Sequence, residues 1–497
     1  MSGFSSILDR FPGSFPPRLG PEWGSGGVFG LKYHKGVLYF TLAFEAESHF
    51  VTRDKDQIYR FDLVGPQPVS GGDTYNAVEA VDNKIYFGGW VHAPAIFKGR
   101  EDKGSQILFL NKYSHVHEYD VYEGRVSLLW KEGLGDLEKW VGEISEIIYD
   151  PVSNKLLLAR ADGHENLGVY RLDPYNRNIE RISDKPALKG SHFMDYACFD
   201  ISIFEGIEGF QCLDLYRNSW IRYKLNDLKK ISIDGGDLLN YSMGSATEAY
   251  GRFFAFVRGG LFIGNPVEPE VENISFIRLF DYSKNSLSPR RSNSLTIGGG
   301  VLVAYNSYVE AAYHFETPEL LKMSKSLNYI TSPSVLLYIT PPQARIVGVF
   351  GARITSMEKL GGKILLGYST TANLGGRDAS MIDSGVRGIT VVDEDIVNRS
   401  NPPYYARILL EDTRNRVFGG IPLYGYKSKS LVIYSLSKDA ELYIYEYDLG
   451  LPPQLISTEK FTIKPPRDII DLGGFKHIVS MKLDKTVNGS LYIELLS

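Results

Sequence analysis

One short pattern returns so often along this chain that it dictates the architecture. An apolar strand follows a Gly or Asn turn in GVLYF (from Gly36), NKIYFGG (from Asn83), NKLLLAR (from Asn154), GRFFAFV (from Gly251) and GKILLGY (from Gly362), with KSLVIYS (from Lys429) as a further instance. Another strand-like run comes one tight turn earlier, as ISEIIYD before NKLLLAR and ATEAY before GRFFAFV. Two such runs around a tight turn predict a β-hairpin. A second unit follows: an alternating strand ending in Asp, a turn, then another strand. QIYRFDLVGPQPVS, HVHEYDVYEGRVSLLW, GVYRLDPYNRNIERIS, SFIRLFDYSKNS and LYIYEYDLGLPPQLIS place Asp62, Asp120, Asp173, Asp281 and Asp448 equivalently. An Asp there can accept bonds from backbone amides of the turn. SWIRYKLNDLKKISI reads as the same unit without its Asp.

Two hairpins in series make a four-stranded antiparallel module. The modules fall near 27–70, 75–131, 143–184, 192–233, 243–291, 298–351, 353–411 and 416–463, and 467–496 hold further strands. Four strands every 45 to 65 residues or so is the spacing of a β-propeller. The predicted fold is all-β: a β-propeller of four-stranded antiparallel blades, with eight blades favoured and seven the alternative. The C-terminal strands are expected to complete the first blade. On that reading 27–497 is a single domain, and 1–26 is an N-terminal extension packed on the ring. ETPELLKMSKSL (316–327) interrupts the sixth module; Thr317, Pro318 and Glu319 suit the start of a short helix. Residues 369–388 form a long loop in the seventh, a length uncommon unless it carries function or lacks order.

The strand-Asp-turn unit resembles that of bacterial and archaeal propeller families with six to eight blades. The paired Gly-His and Trp-Asp signature of WD40 repeats is absent, and the kelch-like Gly88-Gly89 before Trp90 does not recur in register. The whole chain is similar to large uncharacterised archaeal propellers. That resemblance implies architecture and supplies no activity.

Composition agrees and excludes some functions. The 32 Tyr, 26 Phe and 50 Gly suit short strands and tight turns. A net charge of −5 and pI near 6.1 argue against a nucleic-acid partner. No run approaches the roughly 18 apolar residues of a membrane span. The first residues lack the apolar core of a secretory signal, so a cytoplasmic location is expected. Six Gln residues fit a thermophile's avoidance of labile amides. Cys198 and Cys212 are expected as buried free thiols, with a hairpin disulfide the alternative.

In a propeller the innermost strands line a central channel. The segments entering them open on the same face as those linking second and third strands. Five of the nine histidines map to that face: His49, His92, His164, His192 and His314. His49, His92, His164 and His314 are candidate ligands of a divalent metal, with carboxylates orienting the second ring nitrogens. The carotenoid-cleaving oxygenases are similar in taking one His from each of four blades. None of their flanking sequence is present, so no role is transferred. Asp162, His164, Glu165 and His192 are candidate ligand-binding residues, although Gly163 and Asn166 beside them are ordinary turn residues. Glu143, Asp195 and Glu248 are candidates for acid and base in hydrolysis. Glu79, Glu146 and Asp200 fall on or beside innermost strands. No nucleophile elbow, phosphate-binding Gly loop or His-Glu-x-x-His motif occurs. Fold alone does not fix function. The favoured reading is a binding module that takes a protein partner or small-molecule ligand at the channel mouth; a metal- or carboxylate-dependent enzyme is the alternative.

Overall fold

A computed structural model describes residues 7, 15, 27–43, 45–65, 71–74, 76–92, 96–98, 106–108, 112–133, 142–161, 166–203, 206–228, 231–238, 243–283, 286–307, 332–370, 386–413, 415–435 and 440–497. The expected helix at 316–327 and most of the loop at 369–388 lie outside them.

The chain is a β-propeller of antiparallel sheets. Seven sheets follow one another, spanning 28–60, 71–133, 144–183, 190–224, 243–278, 294–350 and 353–393. In six of them the strands hydrogen-bond in chain order; in the second, Gly71–Asp73 and Val78–Val81 both pair with Lys84–His92, and Ile96–Lys98 with Gln106–Leu108 forms a separate hairpin within its span. The sheet limits track the sequence modules closely because tight turns set them. Lys35 and Gly36 both have positive φ, at 45° and 86°, as do Tyr250 and Gly251, at 54° and 64°. Two consecutive positive φ values twist a hairpin in the sense its strands need, and Gly takes the second at little cost.

The turn aspartates act as expected at four of five positions. Asp120, Asp173, Asp281 and Asp448 each accept a backbone amide two residues on, at 2.8–3.1 Å. Asp62 does not; it pairs with Arg60 instead. The first sheet turns through Thr52, whose hydroxyl accepts the amides of Asp54 and Lys55. The fourth sheet has its Asp after all. Asp214 accepts the amides of Tyr216 and Arg217, so SWIRYK is a fourth strand, not a third.

The first strands touch in a cycle. Val28–His34 lies against Val78–Val81, then come Ile144–Asp150, Gly190–Phe193, Met243–Ala249, Ser294–Ile297 and Arg353–Leu360, which returns to Val28–His34. Side chains bridge neighbouring sheets. Asn76 accepts from the Gly30 amide at 2.7 Å and donates to the Thr355 carbonyl at 2.9 Å, so one amide joins the first, second and seventh sheets. Asn293 exchanges bonds with both backbone groups of Met357, and Asn306 with both of Ile354.

The expected closure by C-terminal strands does not occur, and 404–497 is not a further meander. Its strands pair in two interleaved sheets. One runs Tyr404–Leu409, Gly489–Leu496, Ser428–Ser435, Arg467–Asp471; the other runs Phe418–Pro422, Ile478–Leu483, Ala440–Tyr447, Leu455–Ile463. Gly489–Leu496 and Ile478–Leu483 each have neighbours on both sides, so neither has an edge to offer the first sheet. The unit packs on the fifth and sixth sheets, and one apolar cluster runs through the contact, including Leu279, Phe280, Ile346, Phe418 and Leu442. The cysteine expectation also fails: Cys198 and Cys212 face each other across paired strands, Cα atoms 4.0 Å apart, and form a disulfide. Phe15 bonds to the Arg387 carbonyl and packs on Phe40 and His49. No helix among the described residues is long and apolar enough to cross a membrane.

Candidate functional site

Antiparallel meanders give the ring two unlike ends. First strands turn into second strands at the turn end. Chains arrive at first strands, and pass from second to third strands, at the loop end.

Three expected site residues belong to the turn end, contrary to their grouping at the channel mouth. His192 lies in Gly190–Phe193, a strand of only four residues, so it has already reached the turn. Its Nε2 donates to the Tyr149 carbonyl of the third sheet at 2.8 Å. Asp195 is exposed in the turn that follows. Glu248 closes Met243–Ala249 and accepts the Met194 amide at 2.9 Å. Met194 has φ 52°, an uncommon value for a side-chain-bearing residue, and this bond helps to hold it. His192 and Glu248 thus bridge consecutive sheets. Glu143 precedes Ile144–Asp150 at the opposite end, so the three acid-base candidates do not form one set.

His49 is placed differently again. It lies within the strand Glu47–Val51, stacked on Phe40 at 4.5 Å. Its Nδ1 meets Asp56 and its Nε2 meets Glu47, both at 3.0 Å. Burial alone would disfavour the imidazolium, but the two carboxylates outweigh it and raise the His49 pKa. His92 ends the strand Lys84–His92, and its side chain is outside the description. Asp162, His164, Glu165 and His314 lie outside the described residues. Among the described residues, no group of three or more His, Cys, Asp or Glu is placed to hold a metal ion.

The channel wall alternates acid and base over part of its circumference. Lys32 lies 3.6 Å from Glu79, and Lys189 lies 3.5 Å from Glu146. Burial raises the pKa of Glu146 against the opposing pull of Lys189, and that of Glu358 against Lys32. Sequence reasoning found Glu79 and Glu146 but missed both lysines, although they sit on, or immediately before, the same innermost strands.

The loop end concentrates buried cations. Lys112 lies 3.7 Å from Glu143 and 4.3 Å from the centre of the Trp90 ring. Arg387 donates to the Phe15 and Ala43 carbonyls and to Glu45. Arg353, at the start of the seventh sheet, is 1% exposed. Arg160, near the end of Lys155–Ala161, is the most informative. Its guanidinium lies between Trp130 at 4.8 Å and Tyr170 at 4.5 Å, and is 1% exposed. Nη1 pairs with Glu132 at 2.6 Å, while Nε and Nη2 are buried with no hydrogen-bond partner among the described residues. The sequence carried a signal for it: Arg160 lies two residues before Asp162 in the ARADGHEN run, where only the acids and the His drew notice.

Comparison with curated proteins finds no match. Among solved structures, the chain is similar to Sqt1 of Saccharomyces cerevisiae, with 8% identity and a TM-score of 0.39 over 72% of this chain and 81% of that one. It is similar to the β-propeller domain of the Trilobed protease from Pyrococcus furiosus, with 9% identity and a TM-score of 0.36 over 75% and 95%. It is also similar to apo AztD from Citrobacter koseri, with 11% identity and a TM-score of 0.30 over 95% and 99%. Residues 38–377, most of the ring, match one family model, and the chain belongs to that family, described as uncharacterized protein conserved in archaea (DUF2139).

Proposed function

We propose that the protein is a binding module whose ligand presents an anionic group, a carboxylate or phosphate, to Arg160 at the loop end. The observation that carries this is the free edge of that guanidinium. Nε and Nη2 form its side-on fork, whose two donors match two oxygens of one oxyanion. Two aromatic rings fix its plane, and only Nη1 is committed, to Glu132. Leaving buried donors unbonded costs roughly 1–3 kcal/mol each, which an arriving oxyanion would recover. The site is screened from water, where charge-assisted bonds are strong. Because the fork is covered, binding is coupled to a local opening at this end of the ring.

Titration calorimetry with inorganic phosphate and with succinate, at constant ionic strength, tests the reading. The full chain should bind one of the two. Arg160→Met keeps the apolar stem and should weaken binding by at least about tenfold, the scale of one lost charge-assisted bond. Equal binding by Arg160→Met, or no binding of either anion by the parent chain, would sink it.

A further inference from the structure

The C-terminal unit carries a second feature, away from the ring mouth. The sheet containing Tyr404–Leu409 turns Ala406, Ile408, Leu431, Ile433, Leu491 and Ile493 inward. The alternate residues therefore face out, and the register sets them in rows. Arg407, Tyr492, Val432 and Ile469 are successive cross-strand partners, as are Tyr405 and Glu494 in one flanking row and Tyr434 and Arg467 in the other. The outcome is a depression of about 480 Å³ spanning four strands, with three tyrosines across it. Tyr492 lies at its centre, 5.8 Å from Tyr405 and 5.7 Å from Tyr434. Tyr405 is 49% exposed, Tyr434 45% and Ile469 52%. The three rings lie one in each row, diagonal to one another, and all meet solvent.

We propose that this face binds a neutral oligosaccharide. Sugar rings have an apolar C–H face, which suits an exposed tyrosine ring, and hydroxyl edges that both donate and accept. The face offers matching groups around its rings: the guanidinium of Arg467 donates, and the carboxylate of Glu494 accepts. Its charge also selects. Arg407 and Arg467 are balanced by Glu494 and Asp471, and the arginines lie over rings, 5.9 Å from the centre of Tyr492 and 5.8 Å from that of Tyr434. A single-stranded nucleic acid stacking on the same rings would need a surplus of cations for its phosphates. A globular partner would want a broad face of about 800 Å² per side, whereas this hollow has the volume of a small-ligand site. The two inclinations of the rings, 41° and 88° to Tyr492, suit a chain of sugar rings that twists along its length.

Calorimetry on the full chain with cellohexaose, laminarihexaose, mannohexaose and xylohexaose is the test. At least one should bind. Tyr492→Ala should lower that affinity by at least about tenfold, while Tyr492→Phe, which keeps the ring, should stay within about threefold. Tyr434→Ala, at an exposed position, supplies a second loss should Tyr492→Ala melt early by circular dichroism. Arg160→Met should leave the affinity unchanged, which separates this site from the anion site. The proposal is overturned if none of the four sugars binds, if the tyrosine variants bind as the parent does, if a dT12 oligonucleotide binds instead, or if sedimentation shows two copies joined through this face.

Discussion

The buried histidines divide by what their ring nitrogens meet. His49 sits between two carboxylates, which hold it protonated more firmly than a free imidazole. Its contribution to stability is complete below the unfolded value of about 6.5 and is lost as pH rises through the raised folded value. His115 and His117 are the reverse case. They are fully buried on one strand, Nδ1 to Nδ1 at 3.0 Å, with Phe61 and Phe87 against them and no acid bonded to either ring among the described residues. Burial pushes His115 down to about 3 and His117 well below the ordinary value. The unfolded chain takes up these protons first, so their contribution is present above about pH 6.5 and lost as pH falls below it. Imidazole ring resonances followed by NMR from pH 5 to 9 should stay flat for His115 and His117 and show a midpoint above 6.5 for His49. A His115 midpoint near 6.5 would remove this account. His49 stood out in the sequence, but the pair did not. HVHEYD alternates like any half-buried strand, and only the same-face spacing of two residues hinted that the rings meet.

Single strands and turns were the most legible level, because hairpin turns and period-two alternation are local. Which end of a strand a residue occupies was less so. His192 was expected at the approach to its strand, and a length of four residues carries it to the far turn. Glu248, one residue from the end of the seven-residue strand Met243–Ala249, also lies at the turn end, and both proved to be bridges between sheets. Asn76 shows what such a bridge is worth. It satisfies a buried amide and a buried carbonyl on two other sheets, and its own φ is 67°, which Asn tolerates better than most residues. Asn76→Ala should therefore lower the unfolding free energy by about 2–4 kcal/mol, measured by denaturant titration. A loss under about 1 kcal/mol would mean that water replaces the bonds. Partner choice in 404–497 could not be read at all. Alternation marks a strand's two faces but is silent on which strand lies at its edge.

Over the whole molecule, a buried ionic cluster fastens the C-terminal unit to the ring. Arg278 donates to Asp234 at 2.8 Å and to Asp281 at 2.6 Å; Ser480 and Tyr447, from the unit, bond to Asp234 and to the Arg278 carbonyl. Burial alone would raise the Asp234 pKa, but Arg278 outweighs it and holds the carboxyl below its usual range. Asp234→Ala would remove one of the two carboxylates paired with the buried guanidinium, leaving Asp281 and the Asp237 carbonyl as its partners, at about 1–3 kcal/mol. It should lower the melting temperature and speed cleavage in 394–403 under limited proteolysis; unchanged cleavage would place the fastening elsewhere. The interleaved order of the unit has a consequence in time. Two of its four inner strands, Ile478–Leu483 and Gly489–Leu496, are the last of the unit's strands to be synthesised. Every strand needed for the seven sheets has left the ribosome while both sheets of the unit still lack one inner strand. Translation order thus favours a ring that closes first and then serves as the template on which the unit assembles.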